Sequence, residues 1–290
     1  MQTNRLNSIK ELQLKANDIS QDIINMLLTA KSGHSAGPLG MADIFTALYF
    51  HTAKHDAKKP DWTERDRIIL SNGHICPVLY ATLAEAGYFD KKLLSTLRKL
   101  NSPLQGHPHM GSLSGIETSS GPLGQGLSQA CGMALAARMD KRAPVYWVLM
   151  GDGEQDEGQC WEAFMLAAKY KLGNIIAITD RNIIQIDGTT ESVMPLEPLA
   201  DKYRAFGWRV VEIDGNDMTA VVKALDEART YAAANTQAAP TMILANTVPG
   251  KGVSFMEGKY QWHGKTPNAE EAAIALKEMQ EERERIKSDE

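Results

Sequence analysis

Cysteine is scarce in this chain: Cys76, Cys131 and Cys160 are the only three in 290 residues, odd in number and in no metal-ligand spacing. That excludes a disulfide framework and a cysteine-based zinc site, and it reads as three reduced, mostly buried thiols of a cytoplasmic protein. Long apolar runs are also missing. The longest reach about six residues, far short of the roughly twenty that a spanning helix needs, so no membrane segment is expected. The polar N-terminal stretch MQTNRLNSIKELQLKANDI lacks the apolar core of a secretory leader, and no signal peptide is expected. Nor is there an excess of positive charge. With 31 Lys and Arg against 36 Asp and Glu, and a net charge of −5, the chain carries no basic footprint for nucleic acid. Repeats, low-complexity tracts and Pro/Ser-rich linkers are absent. What remains, 43% hydrophobic and 23% charged residues, is the composition of a globular protein with room for a large core.

Periodicity organises the chain as alternating helices and strands. Residues 8 to 31 have a helical period that stops at Ser32-Gly33, and MADIFTALYF suggests a second helix. DRIILS reads as a strand followed by the turn SNGH. A Gly-, Pro- and His-rich loop region spans residues 101 to 125, and GLSQACGMALAARM is the helix after it. VYWVLM, NIIAIT, WRVVEID and TMILANT are further strands, the first two apolar enough to be buried on both faces. Helices are expected from Glu157 to Tyr170, over DMTAVVKALDEARTYAAA and over residues 269 to 288, whose run EERERIKSDE reads as a solvated helix end. Strands alternating with helices predict an α/β fold, a parallel sheet with helices on both faces.

The chemistry concentrates between Gly151 and Asn182. GDG follows the strand VYWVLM and allows a sharp turn and a close backbone approach to a ligand. Asp152 then stands at the strand's carboxyl end, where open α/β sheets bind ligands. The next buried strand ends at Asp180-Arg181-Asn182, leaving 28 residues between Gly153 and Asn182, room for one helix and one strand. An Asp and an Asn at adjacent strand ends supply hard oxygen ligands without a high local charge. That suits Mg²⁺ or Ca²⁺ shared with a diphosphate. GDG alone is an ordinary turn; GDG in this setting resembles the thiamine-diphosphate fingerprint.

Four of seven histidines lie in Gly-rich turns or beside them: His34, His74, His107 and His263. A lone loop histidine is usually solvated or capping, but four in a chain with a diphosphate motif can carry protons near neutral pH and bond phosphate or sugar hydroxyls. His51 and His55, in a lysine-rich stretch, read as structural, and His109 is left undecided. GPLGQG, Gly121 to Gly126, opens a helix. It serves either packing or a backbone approach to a flat ring with Leu123 as an apolar wedge.

AKSGHSAGPLGMADI, RDRIILSNGH, GHPHMGSLSGIETSSGPLGQGLSQACGMA, GDGEQDEGQ, KLGNIIAITDRNIIQIDG, YRAFGWRVVEIDGND and GKGVSFMEGKYQWHGKTP resemble transketolase, in transketolase order, over residues 30 to 268. The resemblance covers the family's N-terminal diphosphate-binding domain and stops there. It therefore implies a single diphosphate-binding (PP) domain over residues 1–290, the N-terminal subunit of a split transketolase. The pyrimidine-binding and C-terminal domains would lie on a separate chain, and an α2β2 assembly is expected because most oligomers are closed and symmetric. It further implies that a two-carbon ketol unit passes from a ketose to an aldose, with the thiazolium as electron sink.

The same resemblance implies residue roles. Asp152 and Asn182 would ligate the metal, with the Ile184 carbonyl as third oxygen. His74, Gly153 and His263 would bond the diphosphate. Gly121 would meet the aminopyrimidine, while Leu123 and Ile186 would pack on the cofactor. His34, His107 and His263 would face the sugar. Glu157, grouped with the cofactor-binding residues, would sit in the subunit contact, near the partner's carboxylates. The glutamate that activates the cofactor belongs to the family's pyrimidine domain, so the chain alone is expected to be inactive. Two departures stand out: His109 where the family usually has glutamate, and TTESVMPLEPL after Asp187-Gly188. The family's phosphate-clamping arginines lie in the missing domains, which leaves open whether the sugar is phosphorylated. Three alternatives stay open: a keto-acid dehydrogenase or decarboxylase subunit, a deoxyxylulose-phosphate synthase type, and a catalytically silent regulatory subunit.

Overall fold

The computed structural model describes residues 5–234 and 236–288, so the first four residues of the polar N-terminal stretch and the last two of the C-terminal run lie outside the described residues. Helix α1, Ile9–Ala30, starts where Ser8 and Glu11 form a reciprocal capping box and stops at Lys31 in the left-handed region. Its Leu12, Ala16, Ile19, Ile23 and Leu27, three or four apart, are all buried. The single helix expected over MADIFTALYF is instead two pieces, preceded by a short helix over AGPLG. Helix α2 is Ala36–Gly40 and α3 is Ala42–Ala47, and a wider π turn follows over Leu48–Thr52. The turn widens because Ala53 N donates to the Leu48 carbonyl five residues back, while Thr52 Oγ1 is drawn to Asp226 at 2.8 Å.

Strand β1, Arg67–Leu70, leads into α4, Cys76–Glu85. This helix leaves no trace in the sequence pattern because CPVLYATLAE is buried from Cys76 to Ala84 and shows no polar face to set a period. Then come α5 (Gln125–Met139), β2 (Tyr146–Gly151), α6 (Gly158–Lys169) and β3 (Ile175–Arg181). A two-stranded hairpin, β4 (Ile184–Gln185) with β5 (Gly188–Thr189), and α7 (Thr190–Val193) fill the segment after β3. The chain continues with α8 (Leu199–Ala205), β6 (Arg209–Asp214), α9 (Met218–Ala234), β7 (Thr241–Asn246) and α10 (Ala269–Ser288).

The five long strands pair in parallel in the order β1-β2-β3-β7-β6. Alternate side chains go to opposite faces, as the strand period of two requires. Trp147, Leu149, Ile176, Ile178 and Ile243 join the core formed with α1, α3, α4, α9 and α10. Val148, Met150, Ala177, Met242 and Leu244 join the one formed with α5, α6 and α8. The fold is α/β, a parallel sheet covered on both faces. The chain leaving β1 turns into α4 on one face, and that leaving β2 turns into α6 on the other. Diverging exits of this kind are where parallel sheets take ligands. Cys76, Cys131 and Cys160 are buried free thiols, with burial pushing the first two up to about 12. No described helix is long and apolar enough to cross a membrane.

Candidate active site

Three imidazoles meet beyond the carboxyl end of β1. Ring centroids of His34 and His74 lie 5.0 Å apart, His74 and His263 5.2 Å, and His34 and His263 5.7 Å. They come from the end of α1, the turn after β1 and the segment before α10. Burial pushes the His34 imidazole down to about 4, helped by His263, Arg98 and His107. Burial likewise drives His74 well below the usual histidine range and lowers His263. All three are neutral near pH 7 and able to accept a proton. His34 and His263 each keep a buried Nδ1 with no hydrogen-bond partner. His107 stands apart, exposed on the 101–125 segment, its ring 3.9 Å from the point a side chain on Gly121 would occupy. A recess of about 500 Å³ beside it is lined by Ser32, Arg98, Gln105 and Gly106.

The remaining histidines are structural or peripheral. His55 is buried and bonded to the Tyr49 carbonyl and the Tyr88 hydroxyl. His51 bonds the Leu6 carbonyl and Asp226. His109 is exposed, its Nδ1 3.3 Å from the Ser119 hydroxyl.

Asp152 and Asn182 directly follow β2 and β3, which are adjacent, with Gly151 registered against Asp180. Asp152 Oδ1 accepts the Gly153 amide hydrogen at 2.7 Å. Its Oδ2 accepts from Ile183 N at 2.7 Å and from Arg181 Nη1 at 3.1 Å. Burial raises the carboxyl above its ordinary range against these donors. Ile183 is held in the left-handed region at φ 58, a conformation costly for a β-branched residue at about 1–3 kcal/mol. The turn aims the Asn182 side chain and the Ile184 backbone at the same loop, where Asn182 Oδ1 accepts from Ile184 N at 3.1 Å. With the Ile184 carbonyl of the same turn, the Asp152 carboxylate and the Asn182 amide would make an all-oxygen donor set of the kind a hard divalent ion takes. Among the described residues there is no group of three His, Cys, Asp or Glu that could hold a metal.

Glu154 does not stand out in the sequence, although it lies inside the GDGEQDEG motif. It is 2% exposed, and its partners are amides and a hydroxyl rather than a cation. Its Oε1 accepts from Gly124 N at 2.7 Å and from the Ser71 hydroxyl, and its Oε2 from Gly151 N at 2.9 Å. Ser71 Oγ in turn accepts from Gly126 N at 3.0 Å. One buried carboxylate thus joins the end of β1, the GDG turn and the GPLGQG loop. Gly124 must be glycine here. Its φ is 83°, and a Cβ would meet Gln159 at 2.9 Å. Asn72, equally inconspicuous in the sequence, is 1% exposed with both amide atoms unpartnered, its Cβ 3.7 Å from where a side chain on Gly151 would begin. The orphaned Asn72 amide, Ser120 hydroxyl and imidazole nitrogens form an unfilled polar wall that fits a ligand with several acceptors.

Leu123 is half-buried beside this wall and Ile186 is 63% exposed at the tip of the β4–β5 hairpin. Glu157 is exposed at the start of α6. Gly153 opens the turn after Asp152, where a Cβ would meet the Gln185 side chain at 2.9 Å.

Residues 13–284 match the family described as transketolase, thiamine diphosphate binding domain. The chain is 44% identical over 272 residues to the 6-deoxy-6-sulfo-D-fructose transketolase subunit of a Clostridium strain, covering 94% of this chain and 97% of that protein. It is 40% identical over 282 residues to an apulose-4-phosphate transketolase subunit of Phocaeicola vulgatus, covering 97% and 98%. Among solved structures, the transketolase of Campylobacter jejuni superposes with a TM-score of 0.82 at 31% identity, over 97% of this chain and 48% of that one. The chain spans about half the length of that solved transketolase and nearly all of the two subunits.

Proposed function

The chain belongs to the transketolase family, as its thiamine-diphosphate-binding domain, and from that premise we propose that it is one subunit of a two-chain transketolase. Its substrates are a ketose and an aldose carrying an anionic end group. The observation that carries the reading is the His34–His74–His263 cluster, neutral and partly unpartnered, beside an all-oxygen donor set at the carboxyl ends of two adjacent strands. The length agreement with two relatives named as transketolase subunits supports a separate partner chain. A keto acid offers no row of hydroxyls for such a histidine set, and a silent subunit has no use for it.

Asp152, Asn182 and the Ile184 carbonyl would hold Mg²⁺ or Ca²⁺, and His74, His263 and the Gly153 amide would meet the diphosphate. Gly121, Leu123 and Ile186 would lie along the rings, with Glu157 toward the partner. Thiamine diphosphate, when bound, supplies the thiazolium ring that takes up the electron pair released as the ketose C2–C3 bond breaks. The chain's own part is to bind, orient and move protons. Neutral His34 and His263 accept a proton from a sugar hydroxyl or return one to the aldose oxygen, and His107 does so from the rim. The pyrimidine-binding and C-terminal domains would come from the partner. Exposed Ile183, Ile186, Val193 and Met194, grouped on the segment after β3, support a partner-covered face there. We further propose an α2β2 assembly, since closed symmetric oligomers are the rule, and a cytoplasmic location suited to three reduced thiols.

Product analysis tests the reading. This chain, the pyrimidine-domain chain and their mixture are each given thiamine diphosphate, Mg²⁺ and ribose 5-phosphate, with xylulose 5-phosphate, apulose 4-phosphate or 6-deoxy-6-sulfofructose as ketose. Transfer in the mixture alone is expected. Full activity from this chain by itself would overturn the split-enzyme reading.

A further inference from the structure

Arg181 ends β3, and its side chain is only 5% exposed. Every nitrogen of its guanidinium is engaged. Nη1 donates to Asp152 Oδ2 at 3.1 Å and to Thr190 Oγ1 at 2.7 Å. Nη2 donates to Glu191 at 2.9 Å and to Glu197 at 2.8 Å, and Nε to Glu197 at 3.2 Å. Glu191 and Glu197 are 42% and 54% exposed, so water screens them, whereas Asp152 is 3% exposed. The one anionic member of the donor set, Asp152, is therefore paired with a buried cation, while the buried Asp180 carboxyl behind the set accepts from Asn182 Nδ2 at 2.8 Å and from the Thr247 hydroxyl. Asp152 is offset by Arg181, and Asn182 and the Ile184 carbonyl are neutral. A divalent ion that exchanges part of its water shell for these three oxygens gains less charge attraction than an unpaired carboxylate would give, because it meets a fixed cation bonded to its one anionic ligand.

We propose that Arg181 makes metal occupancy conditional on the diphosphate. The guanidinium cancels the charge of Asp152, and the site holds a divalent ion only when diphosphate oxygens bring negative charge with them. The inference rests on the proposed role of Asp152 as a metal ligand. It gives a specific task to a residue that is neither ligand nor proton carrier: it keeps free divalent ions from locking the loop after β3 before the cofactor arrives. The same guanidinium ties Thr190, Glu191 and Glu197 to Asp152, so that loop is held ready in the cofactor's absence.

The test is Mn²⁺ binding, followed by electron paramagnetic resonance of free Mn²⁺, on the assembled two-chain protein stripped of cofactor, with and without thiamine diphosphate. Wild type is expected to bind Mn²⁺ at least a hundredfold more tightly with the diphosphate than without. Arg181→Gln, which removes the charge, should bind Mn²⁺ alone at least tenfold more tightly than wild type, with the coupling to diphosphate reduced by the same factor. Arg181→Lys keeps a cation and should stay close to wild type. Equal Mn²⁺ affinity in Arg181→Gln and wild type, or an equal change in the Gln and Lys variants, overturns the charge-gating role. Loss of the underlying metal reading has a different signature: Asp152→Ala would then leave Mn²⁺ binding in the presence of diphosphate unchanged.

Discussion

The Glu154 carboxylate accepts the amide hydrogen of Gly124 at 2.7 Å, although thirty residues of chain separate the two. This bond fixes the GPLGQG loop, at the point where α5 begins, against the GDG turn, since the same carboxylate also accepts from Gly151. Replacing Glu154 by Gln turns one acceptor oxygen into a donor facing buried donors. An unsatisfied buried group costs about 1–3 kcal/mol, and both loops would loosen. Glu154→Gln should lower the urea midpoint and weaken thiamine diphosphate binding together. A variant with lowered stability but unchanged cofactor affinity would show that the bond matters to folding only.

Asp152→Ala removes the one carboxylate from the oxygen donor set and also leaves Arg181 Nη1 and Ile183 N without this acceptor. Cofactor affinity of the assembled enzyme is expected to fall at least tenfold, about 1.4 kcal/mol. A titration of the variant complex with thiamine diphosphate checks it, and unchanged affinity would remove the metal assignment.

His74 lies deep in the imidazole cluster and His107 on its rim, which separates their expected effects. His74→Ala should chiefly raise the apparent cofactor constant. His107→Ala should chiefly lower kcat or raise KM for the sugar. Steady-state kinetics on both variants decide it, and the opposite pattern would exchange the two roles.

The His34 imidazole is pushed down to about 4, chiefly by burial, while the unfolded chain titrates near 6.5. Between those values the unfolded state binds a proton that the folded state does not. The His34 contribution therefore makes stability fall as pH falls from about 6.5 to about 4. Asp22, raised to about 6 by burial, acts in the opposite sense. Its folded state holds the extra proton, so its contribution is present at low pH and lost as pH rises through about 6. The His34 share is isolated by comparing wild type with His34→Gln. In urea unfolding from pH 6.5 to 4 the variant should lose stability less steeply with acid, and parallel curves would contradict the depressed imidazole.

Local patterns carried the sheet. The apolar run NIIAIT, ending in charge, has the signature of a central parallel strand, because a strand covered on both faces has no polar side to show. The capping pair Ser8 and Glu11 marks the start of α1 for a similarly local reason. The α4 helix was not legible, since complete burial erases the period that betrays a helix. Nor was the break from α3 into a π turn, which depends on Asp226 reaching Thr52 from 174 residues away. At the site, the motifs named Asp152, Asn182 and the four histidines by residue type and spacing. Which of them meet was decided by strand order and by loops leaving β1 and β2 on opposite faces. That geometry gathers His34, His74 and His263 and leaves His107 on the rim. Glu154 and Arg181 stand in plain view in GDGEQDEG and TDRN, but their partners Gly124, Asp152, Glu191 and Glu197 are set by contacts that no spacing rule encodes. Their roles exist only once burial removes water and makes each unpaired charge costly.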